Sequence, residues 1–317
     1  MNILVVGAGA VGQVYALYLA KAGHQLSFFV KEKYVNNLKQ GLTLHHLSRF
    51  SHRTQQFSDY GVISDVADIA AKNWQQVWLA LPSDALRGES VASILAAVGD
   101  ATVVCLQPDI NDGDRVRRIV PATQVVQGMI PFISFQSPLP KQEGLEGLAY
   151  FLPPLVPTLL AGEQERVQAV YRALEDGGLR ARIVPDFVKA TAINTALFQS
   201  LIATLESNDW QLNSLPSSPQ LKQGLKAAQQ AVAVVAAKSG ASTISLMPLF
   251  KPLTWKLLLP IARHLFPFNL EVYLQYHFSK VGVQTRLMLE SYMQLGEELN
   301  LPTSAIATLR KNLPEVK

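Results

Sequence analysis

Residues 1–12 read M-N-I-L-V-V-G-A-G-A-V-G, and this stretch decides the fold. Ile3 to Val6 is a short apolar run, the pattern of a strand buried on both faces. Gly7, Gly9 and Gly12 follow in G-x-G-x-x-G spacing. The spacing predicts a helix over 11–22, closed by Gly23, and a second strand over 25–30. Each glycine has a physical reason. Gly7 permits the tight strand-to-helix turn, Gly9 lets a pyrophosphate approach the backbone, and Gly12 lets the helix lie against the strand. The helix N-terminus then turns free N–H groups and a positive dipole end toward the phosphates. With a strand before it and a helix and strand after it, the motif reads as a dinucleotide site. Its cradle is Gly7, Ala8, Gly9, Ala10, Val11 and Gly12.

The composition sets outer bounds. With 317 residues, 49% of them hydrophobic and 16% charged, the chain has room for two folded domains and a large core. The net charge of +4 suits an anionic ligand. No dense Lys/Arg cluster with aromatics appears, so nucleic acid is not an expected partner. The one cysteine, Cys105, falls in an apolar run and reads as a buried, inert thiol, which fits a cytoplasmic protein. No signal peptide is expected, because the first apolar run is needed as a strand. No window of 18 apolar residues predicts a membrane span.

The second strand ends at Lys31. An acidic residue here would bind a ribose 2′-hydroxyl, whereas a basic one accommodates a 2′-phosphate. Lys31 and Lys33 therefore favour NADP. Glu32 between them argues for NAD if the strand runs one residue longer. Further strands are expected over 77–81, 101–106 and 123–127. A helix over 83–98 is capped by Ser83 or Asp84. Ligands of open α/β sheets bind at strand carboxyl ends, so Ser83, Gln107 and Asp109 are candidates to line the nicotinamide half of the site. Residues 129–135, 148–152 and 158–161 read as strands of an antiparallel extension. The segment 42–60 alternates polar and apolar residues. Its His45, His46 and His52 lack ligand spacing with any Cys or carboxylate, and no metal is expected. A helix over 163–177 and a strand over 181–184 complete this half.

Beyond Asp186 the pattern changes to helices over 187–205, 220–239, 253–265, 270–278, 285–299 and 303–313. The fold class is therefore α/β: an N-terminal Rossmann-type doubly wound sheet over 1–185, followed by an all-helical domain over 186–317 for substrate or dimerisation. The default active site is the cleft between them. In 250–268, Lys251, Lys256, Arg263 and His264 alternate with Phe250, Trp255, Leu257, Leu258, Leu259 and Phe266. Such a helix can lie on a membrane, but a packed helix or a homodimer contact is the expectation in a helical domain.

The whole chain resembles the ketopantoate reductase (2-dehydropantoate 2-reductase) family as a divergent member. The start M-N-I-L-V-V-G-A-G-A-V-G-Q, the A-G-H before the second strand, Lys31 after it and L-N-L-P-T near Pro302 carry the likeness. The resemblance implies NADPH-dependent reduction of a small 2-keto acid. It carries the catalytic lysine onto Lys189, the first asparagine onto Asn194 and a later, substrate-binding asparagine onto Asn208. The family spaces the first two by four residues; here the spacing is five. The family's glutamate falls on Gly282 with Gln284 nearby, its asparagine after the fifth strand is Gln107, and its lysine after the fourth is Pro82. The cofactor half of the motif set is present and the chemical half is eroded. A non-catalytic NADP(H)-binding sensor or scaffold is the alternative.

Overall fold

The computed structural model describes residues 1–262 and 264–316; Arg263 of the basic apolar stretch lies outside them. The chain forms two units, Met1–Phe187 and Val188–Lys317.

In the first unit the elements run β1 (Asn2–Val6), α1 (Ala10–Lys21), β2 (Gln25–Phe29), α2 (Val35–Lys39), β3 (Leu42–Leu47), β4 (His52–Phe57), β5 (Gly61–Ile63), α3 (Val66–Ala70), β6 (Gln76–Leu79), α4 (Glu89–Ala97), β7 (Thr102–Cys105), α5 (Asp112–Arg117), β8 (Val125–Gly128), β9 (Ile133–Ser137), β10 (Gly147–Phe151), β11 (Thr158–Ala161), α6 (Gln164–Asp176) and β12 (Ala181–Ile183). The main sheet has the order β12-β11-β8-β7-β6-β1-β2-β5. Neighbours pair in parallel except β8 and β11. Its central strands are apolar on both faces because both faces are covered. Ile3 and Val5 join the side chains of α1 and α6 on one side, while Leu4 and Val6 join Ile69, Ile94 and Leu95 from α3 and α4 on the other. The Rossmann-type, doubly wound reading of this unit holds.

The antiparallel extension takes a different form. β11 does extend the main sheet, antiparallel to β8. β9 and β10 instead leave it and build a second sheet of order β4-β3-β10-β9. There β10 pairs in parallel with β3, setting Tyr150 opposite His46. α1 is held between the two sheets. Tyr15 packs on Trp78 at 4.9 Å between ring centroids and on Phe132 at 5.0 Å, and the Tyr18 and Tyr150 hydroxyls stand 3.4 Å apart. His45 is buried, with Nδ1 2.9 Å from Thr54 Oγ1 and Nε2 2.9 Å from the Glu146 carbonyl oxygen. The helix expected over 83–98 is broken. A 3-10 turn, Ser83–Arg87, gives way at Gly88 to extended backbone before α4 starts. Ser83 and Asp84 do not cap it; Pro82 stands at the cap position of the turn.

In the second unit the helices are α7 (Phe187–Glu206), α8 (Pro219–Ser239), α9 (Pro252–Ala262), α10 (Leu270–Lys280), α11 (Gly282–Glu298) and α12 (Ser304–Lys311), with a 3-10 segment at Ile244–Phe250. Here α7 takes in Phe187, the last residue of the first unit. α8 buries Ala227, Ala228, Ala231, Val232, Val234 and Val235, and α11 buries Met288, Leu289 and Tyr292. α12 has no side-chain cap of its own; Gln230 on α8 accepts from the backbone N–H of Ala305 at 2.8 Å. α9 is only partly packed, with Trp255 and Leu259 half-buried. Neither it nor the segment before it fully buries a residue.

Candidate nucleotide site

The main sheet reverses direction between β1 and β6: β2 and β5 lie on one side, β6, β7 and β8 on the other. Such a switch point leaves a crevice at the strand carboxyl ends. The glycine turn sits at this point. Gly7 has φ +98°, a left-handed conformation that disfavours any side chain. Its N–H donates to the carbonyl of Phe29 at 3.0 Å, joining the turn to the end of β2. A Cβ on Gly7 would stand 2.8 Å from the Ala80 carbonyl oxygen, just past β6. A Cβ on Gly12 would stand 2.2 Å from the Gly7 carbonyl oxygen, so no side chain fits there.

Gly9 is different. It is exposed, caps α1 from extended backbone, and has nothing within 4 Å of where a Cβ would lie. Its neighbours Ala8, Ala10 and Val11 are half-buried. α1 begins with no side-chain cap and no acidic residue in its first turn. The leading N–H groups of a helix have no intrahelical acceptors, so they face the open space at Gly9. Gln13 braces the turn by donating from Nε2 to the Ala8 carbonyl at 2.8 Å. These residues fit an anionic phosphate group: a cradle of backbone donors, a positive dipole end and no side chain in the way.

The flanking residues lie along the same edge. Lys31 is exposed two residues beyond β2. The Glu32 carboxylate accepts a hydrogen bond from Ser64, just past β5, and is held to one side. Gln107, two residues past β7, is buried, and its amide is directed inward. Nε2 donates to the carbonyls of Leu79 and Leu81, both at 2.8 Å, and Oε1 accepts from the Cys105 thiol at 3.1 Å. It braces the end of β6 beside Gly7. Burial pushes the Cys105 thiol up to about 12, so the group is neutral.

A buried polar cluster, not singled out from sequence as a unit, adjoins Gln107. Ser83 donates to Asp112 Oδ2 at 2.7 Å, and the Asp109 N–H donates to the same oxygen at 2.9 Å. Burial lifts the Asp112 carboxyl to about 7, the Asp109 charge adding to the rise and the Ser83 hydrogen bond opposing it. The D-x-x-D spacing of Asp109 and Asp112 was the available signal, but nothing local tells a buried pair from a solvated one.

In the helical unit, Lys189 and Asn194 are both exposed on α7. Five residues of helix set them about 140° apart around its axis. Asn208 follows α7 in a turn that its own amide pins, Nδ2 donating to the Gln211 carbonyl at 2.9 Å and to Ser214 Oγ at 3.1 Å.

Residues 3–142 match the family model described as Ketopantoate reductase PanE/ApbA. By that match the resemblance to the ketopantoate reductase family stands. No curated protein matches in sequence. Solved structures match over nearly the whole chain. A PanE/ApbA family ketopantoate reductase from Ralstonia eutropha JMP134 superposes with a TM-score of 0.73 at 15% identity, over 98% of this chain and 96% of its own. A 2-dehydropantoate 2-reductase from Methylococcus capsulatus gives 0.71 at 17% identity, over 98% and 95%. A D-mandelate dehydrogenase, solved with NADH and anilino(oxo)acetate, gives 0.70 at 15% identity, over 98% and 96%. At these identities the structural likeness establishes the shared fold.

Proposed function

We propose that this protein is an NADPH-dependent reductase of a small 2-keto acid. The observation that carries the reading is the turn from Gly7 to Gly12. It combines backbone forced by two glycines with open space at the third, at the N-terminus of an uncapped helix. The ketopantoate reductase model match over the same residues supports it, and the solved D-mandelate dehydrogenase complex with NADH and anilino(oxo)acetate supports the use of a nicotinamide cofactor, though not the choice of NADPH over NADH.

In this reading the N–H groups of Ala10 and Val11 hold the pyrophosphate, and Lys31 meets the 2′-phosphate. Glu32, the residue that could have favoured a ribose hydroxyl, is engaged by Ser64. Gln107 shapes the strand end beside the glycine turn rather than lending its amide nitrogen outward. A nicotinamide cofactor held there would supply the hydride for reduction of a carbonyl carbon. That transfer leaves negative charge on the carbonyl oxygen, which needs a donor to stabilise it and then protonate it. Lys189 takes this role through its ammonium group, and Asn194 and Asn208 serve as amides that orient the substrate carboxylate and carbonyl.

A second reading is favoured by the placement of Asn194. About 140° from Lys189 around α7, it lies off the stripe that Lys189 occupies. A protein that holds NADP(H) without turnover fits that geometry. Oxidation of NADPH over a panel of 2-keto acids, by the unmutated protein and by Lys189→Ala, separates the two. Turnover lost by 10²–10⁴, roughly the worth of one acid–base group, is the expected result. Clear NADPH binding with no turnover of any keto acid selects the sensor or scaffold reading.

A further inference from the structure

The segment Ile244–Phe250 and α9 stand out in the second unit because none of their residues is fully buried: Leu246, Leu249, Phe250, Trp255 and Leu259 are half-buried, and other apolar side chains stay exposed. Leu253, Leu257 and Ile261 recur every fourth residue along α9 and form one stripe. They are 66%, 63% and 57% exposed. Ile244 and Met247 expose further apolar surface in the preceding segment. Polar bonds also tie the two pieces together. Thr254 Oγ1 donates to the Pro248 carbonyl and Trp255 Nε1 to the Leu249 carbonyl, both at 2.6 Å. With Trp255 and Leu259 half-buried, this hairpin still presents Leu253, Leu257, Leu258 and Ile261 outward as part of its folded form. A contiguous exposed apolar patch marks an interaction surface.

The charge around it selects the partner. Between Asp209 and Glu271 the chain contains no carboxylate side chain, while Lys222, Lys226, Lys238, Lys251 and Lys256 fall within that span. Lys251 and Lys256 are exposed on the hairpin itself. A symmetric contact between two copies would set this patch against itself and bring like charges together with no acid in the segment to offset them. An apolar stripe edged by lysines matches the interface of an anionic bilayer, where leucines enter the acyl boundary and ammonium groups meet the headgroups. α9 has 11 residues, too few to cross a bilayer, and no helix among the described residues is long and apolar enough to do so. We propose that α9 and the segment before it form a docking surface that lies in the plane of an anionic membrane.

Flotation of the full chain with phosphatidylcholine vesicles, with and without phosphatidylglycerol, tests this. Binding is expected only with phosphatidylglycerol, and it weakens as salt rises. The pair Leu253→Asp and Leu257→Asp should cut binding about tenfold or more. Lys251→Glu with Lys256→Glu should do the same through charge alone, by about tenfold. All four positions are exposed, so a native far-UV spectrum and melting temperature are expected in both variants. Failure to float with anionic vesicles overturns the proposal, as does binding unchanged in both variants. A dimer in light scattering that Leu257→Asp dissociates would assign the surface to a second copy and overturn it as well.

Discussion

Arg286 closes a fork on Glu206: Nη1 donates to Oε2 at 2.8 Å and Nη2 to Oε1 at 2.6 Å, with both side chains buried. The same guanidinium donates to the carbonyls of Gly282 at 3.1 Å and Pro314 at 2.7 Å. One side chain thus joins the end of α7, the start of α11 and the chain beyond α12. A buried ion pair is weak evidence of net stability, yet breaking one partner leaves an uncompensated charge in the core. Glu206→Leu should cost about 3–5 kcal/mol in chemical denaturation. Glu206→Leu combined with Arg286→Met should recover much of that loss. A single-variant cost within the noise of the denaturation curve would show that water reaches the site.

Gly9 and Gly12 should respond oppositely to a side chain. At Gly12 a methyl group meets the Gly7 carbonyl, so Gly12→Ala should destabilise the first unit by about 1–3 kcal/mol, the usual cost of overpacking. At Gly9 a side chain points into open space, so Gly9→Val should keep a native spectrum and melting temperature while abolishing NADPH binding in a fluorescence titration. Normal affinity in Gly9→Val would move the phosphate off this loop.

Lys31→Ala should erase most of a preference for NADPH over NADH. A charge-assisted contact to a phosphate is worth about 1.5–3 kcal/mol. The exposure of Lys31 puts it at the lower end, roughly tenfold in the ratio of dissociation constants. Equal affinities for the two cofactors in the unmutated protein would sink the NADP assignment.

Asp112 should make the first unit less stable as pH rises from mild acid through neutrality. Its folded pKa is raised to about 7 by burial, above the ordinary carboxylate value. Such a group stabilises the fold fully below its unfolded pKa, and the contribution is lost as pH rises through the folded value. In Asp112→Asn the amide oxygen can still accept from Ser83 and from the Asp109 N–H, and no charge forms. The amide nitrogen takes the place of Oδ1, which has no hydrogen-bond partner among the described residues. The variant should therefore lose on the order of 1–2 kcal/mol less stability than the unmutated protein between about pH 5 and about pH 8. Parallel pH–stability curves for the two proteins would place the carboxyl in contact with water.

Much of the fold was legible in local pattern. The runs at Ile3–Val6, 77–81 and 101–106 are apolar without alternation because both faces of the main sheet are covered, and periodicity reports burial directly. The helical half was legible for a similar reason: α7, α8, α10, α11 and α12 lie within three residues of their expected bounds. The break at Gly88 was missed because a 3-10 turn and an α-helix share nearly the same spacing of apolar residues over one turn. The bond between Ser83 and Asp112 was missed because it joins residues 29 positions apart.

The sequence by itself determined the glycine turn, the parallel strands around it and the change to helices after Asp186. Those features follow from interactions within a few residues: sterics at Gly7, alternation along a strand, the repeat of a helix. Tertiary structure alone decided that β10 pairs with β3 instead of extending the main sheet, that the Gln107 amide is spent on Leu79 and Leu81, and that Arg286 meets Glu206 across 80 residues. It also decided that Leu253, Leu257 and Leu258 of α9 stay outside. An apolar stripe states only that a helix has a face to cover; what covers it depends on which other surfaces the folded chain leaves within reach.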